Sequence, residues 1–263
     1  MEIIDLSQEH ENIYCLCLED WSEEMKESGD SKKIWLENMK DKGLRVKLAK
    51  DDGETVGMIQ YVPIEYSFAE GKDLYFILCI WVHGHKQGVG DRRKKGIGKK
   101  LIKAAEEDII SLGGKGLVAW GLSIPVFMRA SWFKKQGYKK IDKDGMMALL
   151  WKPFTDDAKP PKLIKQKKKP EKIAGQVTIC SFHNGWCPAQ NIVYERAKRA
   201  VNNLNDNRIV LQDFNTFEHQ IFNEWGIMDA LFIDGKSVRT GPPTKYEKIV
   251  KLINKGLKKI GNN

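Results

Sequence analysis

The 263-residue sequence predicts two α/β domains in tandem, the first built on a mixed sheet and the second a smaller alternating unit. Three observations predict them. An unbroken apolar, β-rich run at 74–82 is followed by a basic, glycine-containing turn and the best amphipathic helix in the chain, at 98–112. A lysine- and proline-rich stretch at 155–174 has too few apolar residues to form a core and reads as a linker. Beyond it the pattern runs strand, helix, strand, helix, strand, strand, helix. The expected boundaries are therefore 1–154, 155–174 and 175–263.

In order, 2–6 reads as a strand, followed by a helical region through Trp21 and a second helix at 32–42. The segments 45–50 and 55–64 alternate as antiparallel neighbours around a turn at Asp51-Asp52-Gly53. The run 74–82 suits a central strand buried on both faces. In 98–112, Leu101, Ile102, Ala105, Ile109 and Leu112 share one face, with Lys99, Lys103, Glu106 and Glu107 opposite. Gly113-Gly114 ends that helix, and a strand follows at 116–122. A short helix at 131–135 closes at Gly137 before a hairpin of 138–141 and 146–151. In the second domain the elements fall at 177–182, 189–204, 209–214 and 218–225. A hairpin of 230–233 and 237–239 surrounds Asp234-Gly235. The last helix carries Tyr246, Ile249, Val250, Ile253, Leu257 and Ile260 on one stripe.

A hydrophobic fraction of 41% supports a buried core, and no apolar run reaches transmembrane length. The first residues lack the basic region and apolar core of a secretory signal. Five cysteines, an odd number without any C-x-x-C pair, argue against a disulfide framework and for a reducing compartment. A cytoplasmic protein with no membrane partner and no metal site is expected. The net charge of +9 is concentrated in runs at 92–100 and 159–172. Neither run has interleaved aromatics on which bases could stack, so no nucleic-acid partner is expected. The first run suits an anionic small molecule; the second reads as a solvated spacer.

The chemistry is expected where strand 74–82 leads into helix 98–112, across Arg93-Lys94-Lys95-Gly96-Ile97-Gly98-Lys99. Glycines at a helix start let an anion approach backbone N–H groups that have no partner in the helix, and the dipole adds positive charge. A Walker loop fails here, because Arg93 stands where the first glycine is needed and Lys100 where Ser or Thr is. A dinucleotide fingerprint starting at Gly88 also fails at Arg93. What remains is Arg-x-x-Gly-x-Gly opening a helix.

This motif resembles the coenzyme A loop of the GNAT N-acetyltransferase superfamily. So does the later Trp132-Phe133-Lys134-Lys135-Gln136-Gly137-Tyr138, and the likeness spans the first 150 residues in element order. The resemblance implies an α+β fold with a sheet splayed at its central strand and acetyl-CoA as acyl donor. It implies that the backbone of Trp81 and Val82 faces the pantetheine, and that Arg93, Lys94, Lys95, Gly96, Ile97, Gly98 and Lys99 hold the pyrophosphate. Two departures stand out: the turn 83–92 is longer than usual, and Phe133 stands where many members carry a tyrosine acid. Glu65 at a strand end, His83 and His85 are the candidate bases for an acceptor amine.

The second domain resembles a minimal thioredoxin or glutaredoxin fold. Cys187 stands at a helix N-terminus followed by Pro188, a position that stabilises thiolate, and Gln190 replaces the second cysteine. The pairing of the two domains resembles the YoaP-like proteins. The expected activity is acetyl transfer from acetyl-CoA to an amine or other small nucleophile, on a small-molecule or peptide acceptor, with the C-terminal domain aiding acceptor recognition. The alternative is a monothiol, thiol-active or thiol-sensing protein using Cys187, with the first domain as a CoA-binding regulator. Oligomeric state stays open, a homodimer among the forms allowed.

Overall fold

β-Branched and aromatic runs separated by glycine turns produce two large sheets, each covered by amphipathic helices, and a small two-stranded one. The computed structural model of the chain describes residues 1–124, 127–238 and 241–261. It divides into two compact units. One comprises Met1–Trp21 and Leu36–Ile164; the other comprises Ser22–Trp35 and the chain from Lys165 onward.

The elements before the second sheet are β1 (Glu2–Asp5), α1 (Glu11–Cys15), α2 (Glu23–Lys26), α3 (Ser31–Lys40), β2 (Arg45–Asp51), β3 (Glu54–Pro63), β4 (Ala69–Glu70), β5 (Leu74–Val82), α4 (Ile97–Ser111), β6 (Gly116–Leu122), α5 (Ala130–Lys135), β7 (Lys139–Asp144), β8 (Met147–Pro153) and β9 (Lys162–Leu163). The seven-stranded sheet has the order β1-β2-β3-β5-β6-β8-β7. β5 and β6 pair in parallel, and the other neighbours are antiparallel, so the sheet is mixed. The helix expected through Trp21 stops at Cys15. Cys17 and Leu18 turn through positive φ, which sends Leu18 into the interior with 2% of its surface exposed.

α4 lies across this sheet with Leu101, Ile102, Ala105 and Ile109 against Ala49, Ile59, Ile77 and Ala119. Each large side chain so buried contributes about 1.5–3 kcal/mol. Asp108, on the same helix, accepts from Arg45 Nε (2.9 Å) and Nη2 (2.6 Å), Tyr61 Oη (2.7 Å) and Lys47 Nζ (3.2 Å). Burial pushes its carboxyl up, but these donors together outweigh burial and hold it below the ordinary range. Gly121 lets β6 meet α5 backbone to backbone: a Cβ there would lie 2.7 Å from both Cα and N of Ala130.

In the second unit β10 (Val177–His183), α6 (Pro188–Leu204), β11 (Ile209–Asn215), α7 (His219–Trp225), β12 (Ala230–Ile233), β13 (Lys236–Val238) and α8 (Tyr246–Ile260) form a four-stranded sheet of order β11-β10-β12-β13. β10 runs parallel to β11 and antiparallel to β12. α6 and α8 cover one face through Val193, Ala197, Ile249 and Ile253, while Phe182, Phe214, Trp225 and Phe232 cluster separately. Arg239, expected in the last strand, lies outside the described residues.

Two sequence expectations change here. The stretch 155–174 is not a detached, solvated spacer. β9 pairs with β4, Leu163 is buried, and Lys167 N–H donates to the Trp225 carbonyl (2.9 Å). The Lys168 ammonium sits 4.0 Å from the Trp225 ring centroid. Lysine stems and backbone can pack while the charges stay in water, so composition alone misreads the segment. In addition, residues 22–35 group with the second unit, although in sequence they lie between β1 and β2 of the first sheet. The buried Arg196 of α6 holds them, binding Glu24 (3.0 Å) and Glu27 (3.0 Å). Among the described residues, no helix is long and apolar enough to cross a membrane.

Gly121→Ala should cost about 1–3 kcal/mol in thermal or denaturant unfolding, because backbone must move to admit the methyl. The depressed folded pKa of Asp108 means its contribution is present above the unfolded value of about 3.9 and is lost as pH falls through the folded one. Asp108→Asn should therefore lower stability near neutrality and flatten its decline below about pH 4, measured by urea titration across pH.

Candidate active site

The site begins where the central strand loses its neighbour. The β5–β6 ladder runs only from Leu74↔Gly116 to Ile77↔Ala119. On the other side of β5, Gln60 pairs with Cys79 and Tyr61 with Ile77, so Leu78 is an extra, bulged residue. A bulge bends its strand and increases its twist. Beyond it β5 and β6 part, and Trp120 Nε1–H donates across the opening to the Leu78 carbonyl (2.9 Å). The backbone of β5 past the bulge faces a gap instead of a strand, which offers peptide groups to an extended ligand. Ile80 and Val82 pack toward the α4 cluster, so alternation turns Trp81 to the opposite face.

The long turn after Val82 is pinched shut at its base. His83 is fully buried; its N–H donates to Val56 O (3.0 Å), and its carbonyl accepts from Arg92 N–H (2.9 Å). Its ring accepts at Nε2 from Trp21 Nε1–H (3.2 Å), which leaves Nδ1–H to donate to Gly90 O (2.8 Å). Arg92 also reaches Asp51 (3.2 Å). Residues 84–91 are thus a closed excursion, and the chain resumes at Arg93 beside the end of β5. This corrects the reading of His83 as a base: its lone pair is spent on holding the loop.

From Arg93 the backbone winds into α4. Lys94 (φ 63°) and Gly96 (φ 79°) both take left-handed conformations, the kind of turn that gathers N–H groups into an anion-binding concavity. Gly96 is the N-cap of the 15-residue α4, whose first turn holds no acidic residue. The N–H groups of that first turn therefore meet no competing carboxylate on the helix. Lys94, Lys95 and Lys99 are exposed around it. Arg93 folds back on Asp91, with bonds of 2.9 Å from N and Nε and 2.7 Å from Nη2. The Arg93 guanidinium holds the Asp91 carboxyl well below the usual range. Trp132 of α5 lies against Gly98, where a Cβ would come within 3.2 Å of the indole. A flat, basic, glycine-floored cradle at a helix N-terminus fits a pyrophosphate.

Trp81, Val82 and residues 93–99 are thus brought together. Glu65 is not. It follows β3 in a single helical turn, Ile64–Tyr66, near the start of β5, since Pro63 pairs with Tyr75 while Gly57 pairs with Val82. That is about seven strand residues, on the order of 20 Å, from the mouth of the split. Glu65 is therefore remote from the pyrophosphate end of the split, while the split itself opens at Leu78, three residues along β5 from Tyr75. Phe133 is fully buried, and Tyr138 is packed beside it with its hydroxyl pushed well above the ordinary range by burial. Neither is placed to protonate a leaving thiolate, which leaves well unaided near neutral pH.

The Acetyltransferase (GNAT) family profile matches residues 7–138, half of the chain. The chain belongs to the GNAT acetyltransferase family. As a GNAT acetyltransferase it uses acetyl-CoA as acyl donor. A PaiA N-acetyltransferase from Thermoplasma acidophilum, solved with coenzyme A, is 21% identical over 58% of this chain and 98% of its own, with a TM-score of 0.43. An aminoglycoside 6'-acetyltransferase type Ii is 20% identical over 58% and 97%, with a TM-score of 0.45. An aminoglycoside 6'-N-acetyltransferase from Enterococcus faecium is 16% identical over 60% and 100%, with a TM-score of 0.42. Comparison with curated proteins finds no match.

Cys187 lies in the second unit as the N-cap of the 17-residue α6, with Pro188 in the first turn. Its N–H donates to Asn184 Oδ1 (3.1 Å), and Asn184 Nδ2 lies 3.4 Å from Asp229 Oδ2. Burial pushes the Asp229 carboxyl up to about 6. Nearby, His183 Nε2 pairs with Asp213 (2.6 Å) and stacks on Tyr194, whose hydroxyl donates to the same carboxylate (2.8 Å).

Gly96→Glu should abolish acetyl-CoA binding in calorimetric titration. The left-handed backbone penalises any side chain by about 1–2 kcal/mol, and the new carboxylate repels the pyrophosphate.

Proposed function

We propose that this GNAT acetyltransferase moves the acetyl group of acetyl-CoA onto a small amine, with the pyrophosphate on residues 93–99 and the pantetheine along the backbone of Trp81 and Val82. One observation carries this reading: the gap between β5 and β6 opens directly onto an acid-free, lysine-flanked helix N-terminus. The bulge and the Trp120 bond fix the edges of that gap. The amine attacks the thioester carbon from the Trp81 side of the sheet, and the thiolate departs from the α4 side.

The second unit is read as a thioredoxin-like, YoaP-like domain that aids acceptor recognition. Its β10-α6-β11 crossover followed by the antiparallel β12–β13 hairpin supports this, as does a cysteine at the N-terminus of the first helix. We divide the chain functionally at 1–154, 155–174 and 175–263. A reducing, cytoplasmic setting fits cysteines that form no disulfide among themselves.

A second reading rests on Cys187 alone, as a monothiol group whose thiolate is stabilised by α6, with CoA binding as a regulator. Purified protein incubated with acetyl-CoA and primary amines should release CoA in proportion to the N-acetylated product. In that assay Cys187→Ser should leave turnover of small amines within about threefold of the parent, a difference below 1 kcal/mol. Complete loss in Cys187→Ser, with acetyl-CoA binding intact, would move the chemistry to the thiol.

A further inference from the structure

The sheet face opposite α4 carries a run of rings that donor binding does not use. Trp120 and Phe127 are 6.1 Å apart between centroids, Phe127 and Trp81 5.9 Å, Trp81 and His85 6.1 Å, and His85 and Trp21 5.3 Å. The run starts at the Trp120 bridge inside the split and ends at the closed loop after β5. Phe127 is 38% exposed, so the row is open to solvent and not sealed in the core. Trp81 Nε1–H is buried with no hydrogen-bond partner among the described residues. A buried donor left over in a folded protein calls for an explanation, and a ligand atom is one.

At the end of the row, His85 Nε2 lies 3.3 Å from Glu19 Oε1. The carboxylate is held nearly buried, with 10% of its side chain exposed, while the imidazole is 42% exposed. That is the form of an oriented base: a nearly buried carboxylate faces Nε2 and favours the proton there, which puts the lone pair on Nδ1. Among the described residues, the titratable groups beside His85 are Glu19, from the segment after α1, and His83, from the end of β5. His83 is saturated by Trp21 and Gly90, so of the two histidines only His85 is equipped to receive a proton.

Building on the acetyl-transfer reading, we propose that the acceptor is a primary amine borne on a flat, apolar ring system, seated among Trp21, Trp81 and Phe127, and that His85 is its base, with Glu19 as positioning residue. Ring faces and edges favour a planar apolar body, and their π-faces attract its ammonium on entry. The amine nitrogen forms a bond to the acetyl carbonyl carbon. The entering ammonium first gives one proton to His85 Nδ1, which frees the nitrogen lone pair for that bond; the carbon–sulfur bond then breaks with its electron pair on the CoA sulfur, and the second N–H proton passes to the departing thiolate. A polyamine would find Glu19 already engaged by His85.

The test follows CoA release by chromatography with tryptamine, phenethylamine, methylamine and spermidine as acceptors, alongside calorimetric titration with acetyl-CoA. The expected kcat/KM is at least tenfold higher for the two ring-bearing amines. His85→Gln should lower kcat on phenethylamine about 100-fold or more and remove the acid limb of the pH profile, with acetyl-CoA affinity unchanged. Glu19→Gln should lower kcat and reshape that limb, and Glu19→Asp should partly restore both. Preference for methylamine or spermidine, or no turnover of either ring-bearing amine, overturns the acceptor class. Parental kcat and pH profile in His85→Gln overturn the base. Failure of the parent protein to bind acetyl-CoA would instead defeat the acetyl-transfer reading, so the two failures are distinguishable.

Discussion

The parting of β5 from β6 after Ile77 and Ala119 is the constraint on which the site depends. It follows from one extra residue, Leu78, accommodated in β5 against β3. Without the bulge, β5 would stay in register with β3 and the parallel ladder to β6 could run on, and the sheet would have no opening. With it, half of the central strand gives up its hydrogen-bonding edge. The cost is limited because Trp120 satisfies the Leu78 carbonyl and because the other edge of β5 remains paired to β3.

That opening has to end at positive charge, and α4 supplies it. The helix is held to the sheet by an apolar stripe and by Asp108, whose carboxylate gathers Arg45, Lys47 and Tyr61. Fixing the helix at its far end fixes where its N-terminus points. The closed excursion 84–91 solves a related problem: a long insertion would loosen the strand-to-helix turn, but the His83–Arg92 bond restores a short effective connection. His83 therefore closes the loop, while His85, carried on the excursion, is left beside the ring-lined face.

Much of this was legible in the residues. Apolar periodicity located α4, β5 and β6 within a residue or so, because an amphipathic stripe and a doubly buried strand each leave an unambiguous pattern. The glycine-and-lysine turn pointed to an anion because helix N-termini bind anions wherever they occur. The failures share one cause. For His83 and the stretch 155–174, residue type and nearness in sequence mislead, because a ring nitrogen's neighbours decide whether it is free to act and lysine stems can pack while their charges stay in water. Glu19 and Trp21 gave no signal, because nothing local marks a residue that becomes important after the chain turns through Cys17 and Leu18.

The order and type of the elements, the helix N-terminus that suits a pyrophosphate and the acyl-transferring fold can all be read from the residues alone. These follow from periodicity, backbone freedom at glycine and charge, all of which act over a few residues. The grouping of Ser22–Trp35 with the second unit through Arg196, the bulge at Leu78 and the engagement of both His83 ring nitrogens emerge only in the folded chain. Those outcomes rest on contacts between residues tens of positions apart, whose closure is set by the packing of whole elements and not by any local preference.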